Sequence, residues 1–198
     1  DDDGKCYYCS TGHLDGKSER AMPCFEINPF TGEILSEKFS LGLGDGGQCP
    51  EGPHIYKING WYYFMLAEGG TEYGHRETIH RAKDIHGPYE RCPHNPIICH
   101  RERKGDEIQA TGHADLVQDQ HGNWWMVCLG FRNFGHALLH NLGRETFLTP
   151  VTWTQDGWPV VGKGGYTELE IDAPLPAPAL PVDHSVHLDL KTAPINPH

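Results

Sequence analysis

Glu51 is the side chain in this sequence whose setting most invites proton-transfer chemistry. It lies in Pro50-Glu51-Gly52-Pro53, where a proline on either side restricts the backbone and forbids a helix. The carboxylate is therefore presented from a constrained loop at the mouth of a strand. A carboxyl held there works as a general acid if burial and a neighbouring carboxylate raise its pKa; otherwise it is a solvated loop glutamate. Residue type leaves both readings open. His136 and His140 have i, i+4 spacing, but no glutamate accompanies them as in a zinc-protease helix, and Gly135 and Gly143 flank them. A loop is the better reading there. Cys6-x-x-Cys9 has no second C-x-x-C to complete a zinc site, and a strand would turn its two thiols to opposite faces. We treat the seven cysteines as small hydrophobes. His13, His86, His94 and His100 read as solvated loop residues. There is no Gly-rich phosphate loop, nucleophile elbow or Ser/His/Asp spacing.

The elements that must position these groups are short strands. Three segments share a polar turn ending in glycine followed by an aromatic strand: Asp3-Gly4-Lys5-Cys6-Tyr7-Tyr8, Asn59-Gly60-Trp61-Tyr62-Tyr63-Phe64 and His121-Gly122-Asn123-Trp124-Trp125-Met126. Asn59-Gly60, between His54–Ile58 and Trp61–Ala67, is a strong hairpin signal because a type I′ turn needs positive φ at both positions. Asp115–Gln118 pairs with Asn123–Leu129 in the same way. Val151–Thr154 and Trp158–Val161, joined at Asp156-Gly157, form a fourth, weaker copy. Further strands are expected at Ala21–Ile27, Glu77–Ala82 and Pro96–His100, and no stretch carries an apolar period of 3.6 residues. A twisted β-sandwich would also alternate short strands. A block recurring about every 60 residues favours propeller blades.

Gly 24 and Pro 15 in 198 residues suit an all-β chain of many turns. The formal charge of −11 argues against nucleic acid, whose phosphates it would repel. No run approaches the roughly 18 apolar residues of a membrane span. After Glu170 the sequence becomes proline-rich. We expect a partial propeller over residues 1–170, a semi-rigid linker over 171–181 and the start of a further module over 182–198.

Glu51-Gly52-Pro53-His54-Ile55-Tyr56-Lys57, with Trp61-Tyr62-Tyr63 and Ala67-Glu68-Gly69-Gly70-Thr71 behind it, resembles the general-acid segment of glycoside hydrolase family 43. Gly74-His75, Ile79-His80-Arg81-Ala82-Lys83 and Gly87-Pro88-Tyr89-Glu90 fit the same pattern. Ala110-Thr111-Gly112-His113-Ala114-Asp115 is similar to the axial-histidine strand of that family. Leu142-Gly143-Arg144-Glu145-Thr146 is similar to its substrate-arginine segment. The likeness runs in order over roughly residues 1–165. It is nearest to the exo-acting β-xylosidases and α-L-arabinofuranosidases.

The resemblance implies a five-bladed β-propeller, of which this chain covers roughly three blades, and an inverting glycosidase. Such an enzyme releases terminal xylose or arabinofuranose from plant-wall xylan- or arabinan-derived oligosaccharides. It uses an Asp base, a second Asp that tunes the acid, and a Glu that protonates the leaving oxygen, a role that falls to Glu51. Both Asp residues would precede Asp1, so the expectation is a chain that carries the acid but not the base and is inactive alone. Arg144, whose other reading is a loop pair with Glu145, would hydrogen-bond sugar hydroxyls from the pocket floor. His113, whose other reading is a satisfied core histidine, would support the carboxylates near the axis or help hold a hydrated calcium or sodium ion. No cofactor is required. Phe131 or Phe134, with the 136–140 histidines, would contact sugar at the rim. A carbohydrate-binding propeller without catalysis is the alternative.

Overall fold

The computed structural model describes residues 1–134 and 139–174. The expected linker from Leu175 onward, the following module and His136 lie outside the described residues. Those that are described form strands and turns, with no helix among them. Strands β1 (Tyr7–Cys9), β4 (Pro23–Glu26) and β5 (Phe39–Ser40) make one three-stranded sheet; β2 (Gly12–His13) and β3 (Arg20–Ala21) make a small two-stranded one. Two four-stranded sheets follow. In the first, β6 (Glu51–Ile58), β7 (Trp61–Glu68), β8 (Arg76–Ala82) and β9 (Glu90–Arg91) lie side by side in chain order. In the second, β10 (Ile108–Gln118), β11 (Trp124–Arg132), β12 (Glu145–Trp153) and β13 (Pro159–Val161) do the same. Each is an antiparallel meander, the blade unit of a propeller.

The hairpin signals locate the turns. Asn59 and Gly60 have φ of 49° and 73°, as a type I′ connection requires. Two expectations change. The Val151–Val161 hairpin is not a separate copy of the repeat: β12 and β13 complete the sheet that β10 and β11 begin. Pro96–His100 is not a strand. Ile98 makes only an isolated bridge to Glu77, and Cys99 N–H donates to Gly165 O instead of to a ladder. Sequence pattern cannot separate an apolar strand from an apolar loop wedged between sheets.

Burial explains why β7 reads as an unbroken apolar run. Its alternate residues face two different cores. Tyr63 and Met65 join Ile79, Leu116, Met126, Val151 and Trp158 between the two four-stranded sheets. Phe64 and Leu66 join Met22, Cys24, Leu41 and Ile85 toward the three-stranded sheet. A strand covered on both faces loses the in-out alternation. Each such side chain contributes about 1.5–3 kcal/mol by burial. Cys24, Cys92 and Cys128 are buried free thiols within these cores, the role expected of small hydrophobes.

Arg81 fastens the two meanders. Its guanidinium lies 4.3 Å from the Trp61 ring and 4.0 Å from the Trp158 ring. Its edge donates to Glu90 Oε1 at 2.6 Å and to the carbonyl of Asp156. Tyr63 Oη donates to the neighbouring Gly157 carbonyl. A planar cation satisfies both ring faces and these acceptors at once, which an ammonium cannot do.

Candidate functional site

Glu51 is the first residue of β6, one step further into the sheet than a loop presentation implied. Its Cα pairs with Ala67, and a bulge separates it from the next regular pair, His54 with Met65. Left-handed φ at Cys49 (49°) and Gly52 (58°) turns the chain sharply on both sides. The carboxylate is thus aimed by a bulged strand start, with the side chain 32% exposed.

Across from it stands His113, on a strand broken in the same manner. β10 shifts register between Gln109 and Gly112 and again between Gly112 and Asp115. Ala110 and His113 both take positive φ, 54° and 50°. Non-glycine residues in that region cost about 1–2 kcal/mol each, so neighbouring groups must hold them. Ala110 O meets His75 Nδ1 at 3.0 Å. Ala114 N–H donates to Glu77 Oε2 at 3.1 Å. Gly112 leaves no room for a side chain, since a Cβ there would lie 2.8 Å from His75 Nε2. The doubled irregularity puts the His113 Nδ1 atom 3.7 Å from Glu51 Oε1. The ring packs so closely on Gly52 that a Cβ at that position would come within 2.6 Å of Nε2.

Two groups beneath this pair were not singled out as site residues from sequence. His75 is buried and its Nε2 has no hydrogen-bond partner among the described residues. Burial holds its pKa below the ordinary histidine value; the nearby His113 and Arg144 act the same way, against the Ala110 carbonyl and the Glu51 charge. The imidazole is therefore a neutral support. Glu77, in β8, is also fully buried, and burial pushes its carboxyl well above the ordinary range despite the backbone N–H groups of Ala114 and His113. Glu77 carried no signal in sequence, because β8 reads as a polar strand (Arg-Glu-Thr-Ile-His-Arg-Ala) and its burial from Glu77 to Ala82 comes from the tertiary structure.

Arg144 is exposed just before β12, near enough for its charge to act on His75. It does not pair with Glu145, which is taken by Arg132 in a two-pronged contact at 2.8 and 2.6 Å. Phe131 is buried in β11. His140 stacks on it at 4.0 Å between centroids and 19° between planes, and Tyr73 meets it edge-on at 5.3 Å. The exposed ring of this cluster is His140, while Phe134 stands 60% exposed outside it. His100 departs from the solvated loop expected of it. It is buried, its Nε2 accepts from Thr167 N–H at 3.1 Å, and burial lowers its pKa to about 4.

Among the described residues no three His, Cys, Asp or Glu side chains converge as a cation shell. The hydrated axial ion that the resemblance implies would thus be reached by His113 through water, not by a direct three-ligand shell of these residues.

The sequence model of Glycosyl hydrolases family 43 matches residues 1–159. The chain belongs to that family. Among curated relatives it is 47% identical over 166 residues to the non-reducing end α-L-arabinofuranosidase BoGH43B of Bacteroides ovatus, covering 84% of this chain and 30% of that protein. It is 41% identical over 184 residues to a xylosidase/arabinosidase of Butyrivibrio fibrisolvens, covering 88% of this chain and 35% of that protein. Among solved structures, the xylan β-1,4-xylosidase of Bacillus halodurans superposes with a TM-score of 0.81 at 33% identity, over 100% of this chain and 38% of its own. The chain spans about a third of the length of these family 43 relatives.

Proposed function

We propose that this chain is the acid-bearing part of an inverting family 43 glycosidase that releases terminal xylose or arabinofuranose from xylan- or arabinan-derived oligosaccharides. The observation that carries the reading is the Glu51–His113 pair. Two separate blades each spend a bulge and left-handed residues to bring these side chains together at one end of the sheets. Strain of that kind, held by buried partners, is a mark of a functional site. The relatives named as an arabinofuranosidase and as xylosidases support the substrate class.

In this reading Glu51 gives its proton to the glycosidic oxygen as the bond to the anomeric carbon breaks. A water on the opposite face of the sugar supplies the new oxygen. The base carboxylate that activates it must stand roughly 6.5–9.5 Å from the acid, and we assign it to a segment outside this chain. His113 orients the Glu51 carboxyl, and Arg144 offers its planar fork to sugar hydroxyls. At the rim, His140 over Phe131 is the surface for the sugar, with Phe131 acting from beneath.

The test is Glu51→Gln in a protein form that carries this chain together with the rest of the propeller. A dinitrophenyl glycoside needs no acid help, so its turnover should fall less than tenfold, while xylobiose turnover should fall by about 10²–10⁴. Equal losses on both substrates, or no loss on either, would refute the acid role. A wild-type protein that binds the sugars and cleaves neither would establish the carbohydrate-binding alternative.

A further inference from the structure

A cleft beside the Glu51–His113 pair has a chemistry that the pentose reading does not use. Its lining includes Gln48, three residues before Glu51, and Gly74, next to His75. It also includes Gln109, next to the Ala110 whose carbonyl meets that same His75. The cleft therefore opens at the same end of the sheets as the proposed reacting site. Into it face Arg76, Arg101 and Lys104, against one exposed carboxylate, Glu72. That balance is unexpected in a chain whose formal charge is −11.

The cations are held, not merely scattered. Arg76 is fixed from below by fully buried Glu68, whose Oε2 accepts from Nε at 3.2 Å and from one Nη2 hydrogen at 3.1 Å. The remaining Nη1 has no acceptor among the described residues. Gly47 permits this, because a Cβ there would lie 2.8 Å from Arg76 Nη2. Arg101 and Lys104 sit on a loop pinned by the buried Gln109 amide, which donates to Arg103 O at 2.7 Å and Asp106 O at 3.2 Å. Arg103 is used up internally, paired with Asp106 at 2.7 Å. Arg101 and Lys104 have no carboxylate partner among the described residues. Tyr73, edge-on to Phe131, adds an aromatic wall of the kind on which sugar rings pack.

We infer that this cleft is a subsite for a carboxylated sugar, a uronic acid unit borne by the oligosaccharide whose terminal pentose occupies the Glu51 site. The guanidinium of Arg76 offers a fixed donor, and Arg101 and Lys104 supply the charge that a carboxylate selects. This rests on the glycosidase reading above, and the experiment separates the two. Amide chemical-shift titrations of a protein form that carries this chain together with the rest of the propeller would compare a xylo-oligosaccharide carrying one glucuronic acid with the unsubstituted oligosaccharide of equal length. The acidic sugar should bind roughly five- to tenfold more tightly at low salt, as expected of two partly exposed ion pairs. That preference should fade in about 0.5 M sodium chloride, and shifts should extend to Tyr73, Gly74 and Lys104. Arg101→Gln with Lys104→Gln should erase the preference and leave affinity for the neutral sugar unchanged. Equal affinity for the two sugars, or a preference that survives the double substitution, would overturn the subsite while leaving the pentose site standing. Failure to bind either sugar would remove both.

Discussion

Gly52→Ala gives the most direct measure of how tightly the Glu51–His113 arrangement is built. Two costs are separable. The first is conformational: Gly52 has φ of +58°, and an alanine there costs about 1–2 kcal/mol. The second is steric, since the new Cβ would fall 2.6, 2.9 and 3.1 Å from three atoms of the His113 ring. That ring is 41% exposed, so it can swing aside, at about 0.5–1.5 kcal/mol for leaving its rotamer and its place beside Glu51. Gly60→Ala supplies the control. Gly60 has φ of +73°, yet a Cβ added there would meet nothing within 4 Å, so it reports the conformational cost alone. Urea denaturation should place Gly52→Ala about 1 kcal/mol below Gly60→Ala. In a His113→Ala background that difference should vanish, a coupling that a double-mutant cycle reads directly. Nuclear Overhauser contacts between the His113 ring and the Gly52 backbone should disappear in Gly52→Ala. If the two glycine substitutions cost the same, or the difference persists without His113, the close approach of the two blades is not what fixes the pair.

Two further outcomes follow from buried charges. His100 titrates at about 4 when folded against an ordinary value of 6.5, so as pH falls the unfolded chain takes its proton first. Stability should therefore decline from about pH 6.5 and reach its full loss below about pH 4, by roughly 3 kcal/mol. Protonating Nε2 also removes the acceptor for Thr167 N–H. Urea midpoints across that range should fall for the wild type and flatten for His100→Gln; a wild type that gains stability on acidification through this window would contradict the assignment. Arg81→Lys should cost about 1–2 kcal/mol in the same assay, because an ammonium keeps the charge but cannot lie flat between Trp61 and Trp158. An unchanged midpoint would mean that the stacked guanidinium does not tie the two meanders together.

Much of this molecule was written in local sequence, for identifiable reasons. Asn59-Gly60 and His121-Gly122 encode hairpins because their backbone demands are met within two or three residues. A recurring turn-and-aromatic-strand block encodes blades because each blade repeats the same local problem. The Pro-x-x-Pro frame around Glu51 excluded a helix without reference to any other part of the chain. The burial of His100 was not legible, since its cover comes from Thr167 and Tyr166, more than sixty residues away. Nor was the burial of Phe131, because His140 and Tyr73 pack against its ring from other segments.

The same division applies at Glu51. Sequence determined that a constrained carboxylate stands at the head of a strand, and the likeness of the surrounding residues named the family to which it belongs. Only the tertiary structure decided what faces it. His113 reaches Glu51 because β10 is broken twice, and the breaks persist because Glu77 and His75, from a neighbouring blade, satisfy the backbone groups they free. A bulge has no local signature strong enough to be read from one strand. It is stable only when a second strand supplies the partner, and that partner is chosen by packing between blades rather than by the order of residues within either one.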